Sequence, residues 1–241
     1  MRDNLLNKLN GKSKKQGLFE VFNKVGDDTT VINLFGPVYE NPPAGETESD
    51  YIALSEVRKE IEEINSSKIL VKISTNGGSF FAGQAIANLL KEHSAEVTTK
   101  IVGVAASAGS IIFTAGKYRE MFSNSSVLIH RVRSYAFGTA SELEKAAEEL
   151  RELDKSLIEN YKEMFTGTEK ELNKILDDDK FMTAEKAKEL GFCTKIIDSK
   201  AESDEEVENK IQGFFDKFQS PGKSKAKKNK NLFAKIKGGQ N

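Results

Sequence analysis

The sequence predicts an α/β fold with a mostly parallel sheet, and two patterns carry that prediction. Apolar runs rich in branched residues at 30–35, 69–73 and 97–104 are typical of strands. Stretches between them have apolar residues three or four positions apart, which is typical of amphipathic helices. Strands that alternate with helices form parallel sheets with right-handed crossovers, so the alternation indicates one α/β domain.

The individual elements follow from local signals along the chain. Gly36-Pro37 ends the first strand, and Thr183 and Gly191 are expected to cap and to end a helix near the carboxyl end of the domain. The expected elements after the first strand are helices at 51–65, 81–93, 107–115, 168–176 and 184–190, a turn at 76–79, and short strands near 118–122, 126–130 and 193–197.

A long amphipathic helix is predicted over 139–165, where it would be about 40 Å long at 1.5 Å per residue. Its apolar positions form one continuous stripe: Leu143, Ala146, Leu150, Leu153, Leu157, Tyr161 and Met164. In a single chain, part of a stripe of this length would be exposed to solvent, so we expect it to pack against a partner chain.

Composition and charge indicate the domain organisation. The 36 Lys and Arg residues nearly balance 37 Asp and Glu residues, which argues against a dedicated nucleic-acid binder. One cysteine, a polar N-terminus and the lack of a long apolar run favour a cytoplasmic protein without a membrane segment. We expect a flexible arm over 1–18, one folded domain over 19–200, and a charged, Lys-rich, disordered tail over 201–241.

Ser107 is the first candidate for chemistry. It lies in the small-residue segment 105–110, between an apolar strand and an apolar helix. A serine in the first turn of a helix is next to unpaired backbone N–H groups, which can hold an oxyanion. The alternative is that these small residues only pack the helix against the sheet. Ser110 is a rival nucleophile, but it lies nearly one turn into the helix.

The chain offers two histidines as a general base for the serine. His93 ends an amphipathic helix, where solvent exposure is expected, whereas His130 ends the apolar strand 127–129. A buried imidazole needs a partner and titrates near neutrality, which suits a base, although a structural histidine is the alternative. Gly77 and Gly78 follow another strand and could supply a second oxyanion donor or form an ordinary turn.

Four segments together resemble the signature blocks of Clp protease proteolytic subunits. They are 74–83, 105–110, 127–130 and 181–192, in the order found in that family, and the similarity covers about residues 28–198. Further details resemble the Clp-like proteases of bacteriophages and prophages, many of which are assigned to head maturation. These details are the segments 20–24 and 81–86, and Gly167-Thr168 followed by Glu171.

The resemblance implies a Clp/crotonase-type ββα spiral with a protruding handle helix, and an endopeptidase that needs no metal or other cofactor. It assigns Ser107 as nucleophile, His130 as base, and the backbone N–H groups of Gly78 and Ala108 as oxyanion donors. The acid is then Asp179, two residues before Phe181. The residues alone leave Asp177, Asp178 and Asp179 open.

The resemblance also implies partners. These are a polypeptide substrate, a homo-oligomeric ring that interlocks with a second ring through the handle helix, and a separate AAA+ unfoldase for ATP-dependent degradation. In the phage setting, capsid or scaffold proteins would be substrates or partners. The departures from the cellular pattern are Arg131-Val132 in place of Gln-Pro, Asp178 in place of an inter-ring Arg, and Asn76 in place of Pro.

Two other classes of function are weighed against the peptidase. One is an inactive assembly protein that keeps the fold as a scaffold, as the departures at Arg131 and Asp178 allow. The other is a crotonase-type acyl-CoA enzyme, which would share the fold and the oxyanion hole but would use Glu or Asp and need no serine. The ordered set of Ser107, His130 and Asp179 favours the peptidase.

Overall fold

The computed structural model describes residues 19–23, 28–41 and 51–198. The expected arm over 1–18 and tail over 201–241 lie outside the described residues. Ten strands are described: β1 (Phe19–Asn23), β2 (Thr29–Phe35), β3 (Val38–Tyr39), β4 (Ile52–Ala53), β5 (Lys68–Thr75), β6 (Glu96–Ala106), β7 (Tyr118–Phe122), β8 (Ser126–Leu128), β9 (Met182–Thr183) and β10 (Lys195–Ile197). Six helices are described: α1 (Leu54–Glu62), α2 (Phe80–Glu92), α3 (Ala108–Phe113), α4 (Ala140–Lys162), α5 (Glu169–Asp178) and α6 (Ala184–Glu189).

One mostly parallel sheet organises these elements. Its strand order is β1-β2-β5-β6-β7-β10, in which β1 is antiparallel to β2 and the other neighbours are parallel. The predicted α/β class is therefore confirmed. A separate parallel pair is formed by β3 and β4.

The long strand β6 divides the sheet into two parts near its carboxyl end. Its residues 98–101 pair with β7, whereas its residues 104–106 pair with β8. Strand β8 in turn pairs antiparallel with β9. Because β7 and β8 share one neighbour along different stretches, the carboxyl end of β6 is flanked by β5 on one side and β8 on the other.

The core lies between the sheet and the helices on it. Ile69, Val71 and Ile73 of β5 are buried at alternate positions, as expected for one face of a strand. Helix α2 packs Ile86 and Leu90 into the same core, and its first turn is capped by the Ser79 hydroxyl. The predicted caps of α6 are present: the Thr183 side chain accepts the Lys186 N–H, and Gly191 follows with φ of 86°.

Four of the described strands are not predicted from the sequence. The strand β1 is missed, and so are the two-residue strands β3, β4 and β9. A two-residue segment is too short to show the alternation of apolar and polar residues that predicts a strand. It is recognised as a strand only through its pairing with a distant segment. Within the described residues, no helix is both long enough and apolar enough to cross a membrane.

Candidate active site

Three neighbouring parallel strands end at one edge of the sheet, and each is followed by a candidate residue. The register pairs Thr75 of β5 with Ala105 of β6, and Ala106 of β6 with Leu128 of β8. Gly77 and Gly78 therefore follow β5, Ser107 follows β6, and His130 follows β8 at the same edge. The carboxyl ends of parallel strands are where α/β proteins bind ligands.

Ser107 occupies a sharp turn from β6 into α3. Its φ of 55° and ψ of −122° lie outside the regions that non-glycine residues favour. Such a conformation costs about 1–3 kcal/mol and persists only where the surroundings hold it. The Ser107 N–H donates to the Leu128 carbonyl at 3.0 Å, and the next residue, Ala108, opens the helix with N–H groups that have no partner inside it.

The glycine pair packs directly against this turn. Gly77 has φ of 94°, and a Cβ placed on it would lie 2.6 Å from the Ser107 Cβ and 2.9 Å from the Ala108 nitrogen. Gly78 has φ of 150°, and a Cβ there would lie 2.1 Å from the Val38 carbonyl oxygen. Both positions therefore require glycine; Gly77 packs against the Ser107 turn, and Gly78 lines the same cleft as Ser107.

The His130 imidazole forms a hydrogen bond that suits a general base. Its Nδ1 atom is 2.6 Å from the carbonyl oxygen of Arg131. A carbonyl oxygen only accepts, so Nδ1 is protonated, and in this tautomer of the neutral ring the lone pair is on Nε2. The histidine is half-buried.

A cleft of about 690 Å³ joins these residues. Ser107, His130, Gly78 and Ala108 all line it. Its other walls are largely apolar, with contributions from Ile111, Phe80, Leu153 and Leu157. Apolar walls with a few convergent polar groups are typical of binding sites, and this volume accommodates several residues of an extended peptide.

None of the three candidate aspartates forms a hydrogen bond or an ion pair with His130. Asp177 accepts from the Arg131 Nε at 2.8 Å. Asp178 accepts from the Lys174 ammonium at 2.6 Å, and this hydrogen bond lowers the pKa of Asp178. Asp179 pairs with the Arg133 guanidinium and is not among the residues that line the cleft.

Of the three aspartates, Asp179 lies nearest along the chain to β9, the strand that pairs with β8 just before His130. In the antiparallel pair of β8 and β9, Ser126 lies opposite Thr183 and Val127 lies opposite Met182. The pairing does not extend to the aspartates: Asp179 is the residue that ends α5, with φ of 51° in the left-handed region. His130 and Asp179 therefore lie beyond the same end of the β8–β9 pair, each three residues from the last pair, Val127 and Met182.

The other candidate residues have structural partners. The rival nucleophile Ser110 is buried, and its hydroxyl donates to the Ser107 carbonyl. His93 is half-buried rather than fully solvated as expected, because its ring contacts the Ile64 carbonyl and accepts the Ala95 N–H. Cys193 is buried, and burial raises the pKa of its thiol, as expected for a packed thiol.

Two side chains near the site are not evident from the sequence. Arg133 reaches Asp179 across a gap of 46 positions, and Tyr161 reaches Ser110 across 51 positions. The arginine belongs to no motif, and the tyrosine falls within the apolar stripe of the predicted helix, where it looks like an ordinary core residue. Only the packing of α4 and α5 against the strand ends brings these pairs together.

A serine on a strained turn from strand to helix, beside a histidine and main-chain N–H groups, is the arrangement that α/β hydrolases use for acyl transfer. The Clp protease family has a sequence profile that matches residues 57–200, which is more than half of the chain. The chain therefore belongs to the Clp protease family, a family of peptidases, and the predicted family is confirmed. The mixed α/β fold agrees with that membership, and the match favours a peptidase over a crotonase-type acyl-CoA enzyme.

Proposed function

We propose that the protein is a serine endopeptidase in which Ser107 is the nucleophile and His130 the general base. The observation that carries this proposal is the shared cleft. The strained serine turn, the Nδ1-protonated histidine and the glycine loop lie at adjacent strand ends and line one cavity.

The proposed reaction begins when His130 Nε2 accepts the proton of the Ser107 hydroxyl while its oxygen attacks the scissile carbonyl carbon. The N–H groups of Gly78 and Ala108 then donate to the oxyanion that forms. The C–N bond breaks as Nε2–H protonates the departing amine, which leaves an acyl-enzyme. Water, deprotonated by Nε2, attacks the ester and releases the carboxylic acid and the free Ser107 hydroxyl.

We assign Asp179 as the acid that orients His130 and stabilises its cationic form. The family resemblance favours this choice over Asp177 and Asp178, and Asp179 is also the nearest of the three along the chain to β9, which pairs with β8. In the conformation described, the Arg131 carbonyl holds Nδ1–H and Arg133 holds the carboxylate. The active conformation therefore requires the Asp179 side chain to turn from Arg133 to His130.

The substrate and partners follow from family membership and from the cleft. Apolar walls and main-chain donors suit an extended polypeptide. We propose a homo-oligomeric ring, whose chamber would limit access to the active sites. An ATP-dependent AAA+ unfoldase would be a separate chain. For the phage head-maturation branch, the substrates would be capsid or scaffold proteins.

A catalytically weak or inactive assembly protein is the second candidate. The specific observation in its favour is that His130 has a backbone carbonyl, and no carboxylate, as its hydrogen-bond partner. A triad that never assembles would leave the cleft as a binding surface only.

Labelling with a fluorophosphonate probe separates the two candidates. The purified protein is expected to form one covalent adduct, located at Ser107 by peptide mass spectrometry, and to hydrolyse a fluorogenic peptide. Ser107→Ala is expected to abolish both signals, whereas Ser94→Ala, an exposed serine outside this cleft, is the matched control and is expected to change neither. A protein that folds but takes up no label at Ser107 contradicts the peptidase.

A further inference from the structure

Two buried hydroxyl groups lie directly behind the Ser107 turn. Ser110 and Tyr161 are each only 1% exposed. The Tyr161 hydroxyl oxygen is 2.8 Å from the Ser110 Oγ, and the Ser110 Oγ is 2.6 Å from the Ser107 carbonyl oxygen. The three groups form a continuous chain of hydrogen bonds from α4 to the turn.

The direction of this chain follows from a count of protons. A carbonyl oxygen only accepts, so the Ser110 hydroxyl uses its single proton to donate a hydrogen bond to the Ser107 carbonyl. Tyr161 must therefore donate to the Ser110 Oγ. Burial raises the pKa of Tyr161, which keeps the phenol protonated and able to donate at any working pH.

The turn needs such support because its backbone is strained. On one side, the Ser107 N–H donates to Leu128. On the other side, the Ser107 carbonyl accepts the backbone N–H groups of Ser110 and Ile111 as well as the Ser110 hydroxyl. Tyr161 is a rigid anchor for this second side, since its ring packs edge-on against Phe192 with centroids 5.9 Å apart.

We infer that Tyr161 and Ser110 are positioning residues that fix the orientation of the Ser107 nucleophile through this hydrogen-bond chain, an inference that rests on the proposed serine peptidase. Tyr161 lines the inner wall of the cleft, but it is only 1% exposed, and its phenol hydroxyl acts through Ser110. Removal of either hydroxyl lets the Ser107 peptide group relax from its strained geometry, and the Oγ then leaves the line of attack.

Matched variants isolate the hydroxyl groups from changes in packing. Tyr161→Phe removes only the phenol oxygen. Ser110→Thr and Ser110→Val add similar bulk, but only the threonine keeps a hydroxyl that can donate to a carbonyl three residues earlier. Tyr161→Phe and Ser110→Val are expected to lower kcat and the fluorophosphonate labelling rate roughly 2- to 10-fold, the range for one lost hydrogen bond.

The pattern of the kinetics distinguishes positioning from general stability. KM for a fluorogenic peptide is expected to stay nearly constant, and Ser110→Thr is expected to label several-fold faster than Ser110→Val. The double variant Tyr161→Phe/Ser110→Val is expected to be little slower than either single variant, because both break one chain. Equal rates for the threonine and valine variants, or a wild-type rate for folded Tyr161→Phe, overturn the inference.

Hydrogen exchange supplies a readout that does not depend on catalysis. Amide exchange in peptides that cover 107–111 is expected to quicken in Tyr161→Phe, whereas exchange in β2 is expected to remain as in the wild-type protein. If the wild-type protein takes up no label at Ser107, the proposed peptidase fails, and the exchange result alone decides whether the hydroxyl chain holds the turn. Unchanged exchange at 107–111 contradicts the inference in either case.

Discussion

Arg133 pairs with the carboxylate of Asp179, the residue that we assign as the acid partner of His130. Both side chains are exposed, at 65% and 39%. An exposed ion pair contributes at most about 1 kcal/mol, so the pair is easily broken. Arg133 is therefore a weak competitor of His130 for the same carboxylate.

Removal of this competitor is expected to raise activity. Arg133→Gln frees the Asp179 carboxylate to accept the His130 Nδ1–H, and a pair of about 1 kcal/mol limits the gain in labelling rate to roughly 5-fold. Lys174→Gln breaks a similar exposed pair, with Asp178, and is the matched control that is expected to leave the rate unchanged. A slower rate in Arg133→Gln would show that the arginine supports the active conformation instead.

The identity of the acid is tested by three parallel substitutions. Asp179→Asn is expected to lower kcat/KM by roughly 10²- to 10⁴-fold, because an amide holds the imidazole poorly and cannot stabilise its cation. Asp177→Asn and Asp178→Asn, which lose only contacts to Arg131 and Lys174, are expected to have small effects. The kcat/KM values for peptide hydrolysis by the three variants are compared. The assignment of Asp179 is wrong if Asp177→Asn or Asp178→Asn lowers kcat/KM more than Asp179→Asn does.

The proposed oxyanion donor at Gly78 makes a separate prediction. Gly78→Ala would place a Cβ 2.1 Å from the Val38 oxygen at φ of 150°, so the loop must move and withdraw its donor. Loss of one such donor lowers kcat about 10²- to 10³-fold. Gly36→Ala introduces backbone strain at φ of 95° in a residue that does not line the cleft, and it serves as the control for stability. Equal losses of kcat in the two variants would mean that strain alone explains the effect.

Much of this architecture is evident from the sequence because it depends on local pattern. The strand–helix alternation, the glycine pair and the Ser107 turn are each defined by neighbours within about ten residues. The observed helix α4 (Ala140–Lys162) falls within the predicted 139–165, and the confirmed family provides the context for its role.

The site itself depends on longer-range geometry that the sequence does not contain. The partner of Asp179 is Arg133, and Tyr161 reaches the Ser107 turn through the Ser110 hydroxyl. Neither contact has a motif, since each joins segments more than 40 positions apart through the docking of α4 and α5. The pairing of β8 with the two-residue strand β9 is likewise not evident from local pattern, although it brings the segment just before His130 beside the segment just after Asp179.

Deletion of residues 201–241 is expected to leave hydrolysis of small peptides intact. Every residue that lines the cleft lies between 39 and 161, and the family match ends at 200. The deleted stretch includes eight lysines between 217 and 241, which would serve an acidic partner or nucleic acid if they have a role. Thermal unfolding and peptide hydrolysis of the truncated chain check this prediction. Loss of the fold or of activity would show that the folded domain extends beyond residue 200.

The last prediction concerns assembly through α4. The second half of its apolar stripe packs onto the domain, where Leu157 and Tyr161 are buried. In the first half, Ala146 and Leu150 are half-buried, Leu143 is 42% exposed, and Tyr135 and Phe137 just before the helix are fully exposed. Exposed apolar side chains concentrated in one segment mark an interaction surface, and the family match makes a second copy of this chain the expected occupant.

A ring-forming oligomer is therefore expected in light scattering of the purified protein. Leu143→Glu is expected to shift it to smaller species, because burial of a leucine contributes about 1.5–3 kcal/mol and a buried unpaired charge costs more. Leu157→Glu is not a clean test, because Leu157 belongs to the core of its own domain. Ser141→Glu adds the same charge about 200° around the helix and is the matched control.

The pairing of two rings is expected to be weaker than in cellular members of the family. By resemblance an arginine pairs across rings at the position of Asp178, whereas here Asp178 is held by Lys174 within its own helix. Dissociation of the largest species into smaller ones on dilution, followed by light scattering, measures this pairing. A strict monomer at micromolar concentration contradicts the role of α4 as an oligomer contact, and an unchanged assembly in Leu143→Glu places the contact elsewhere.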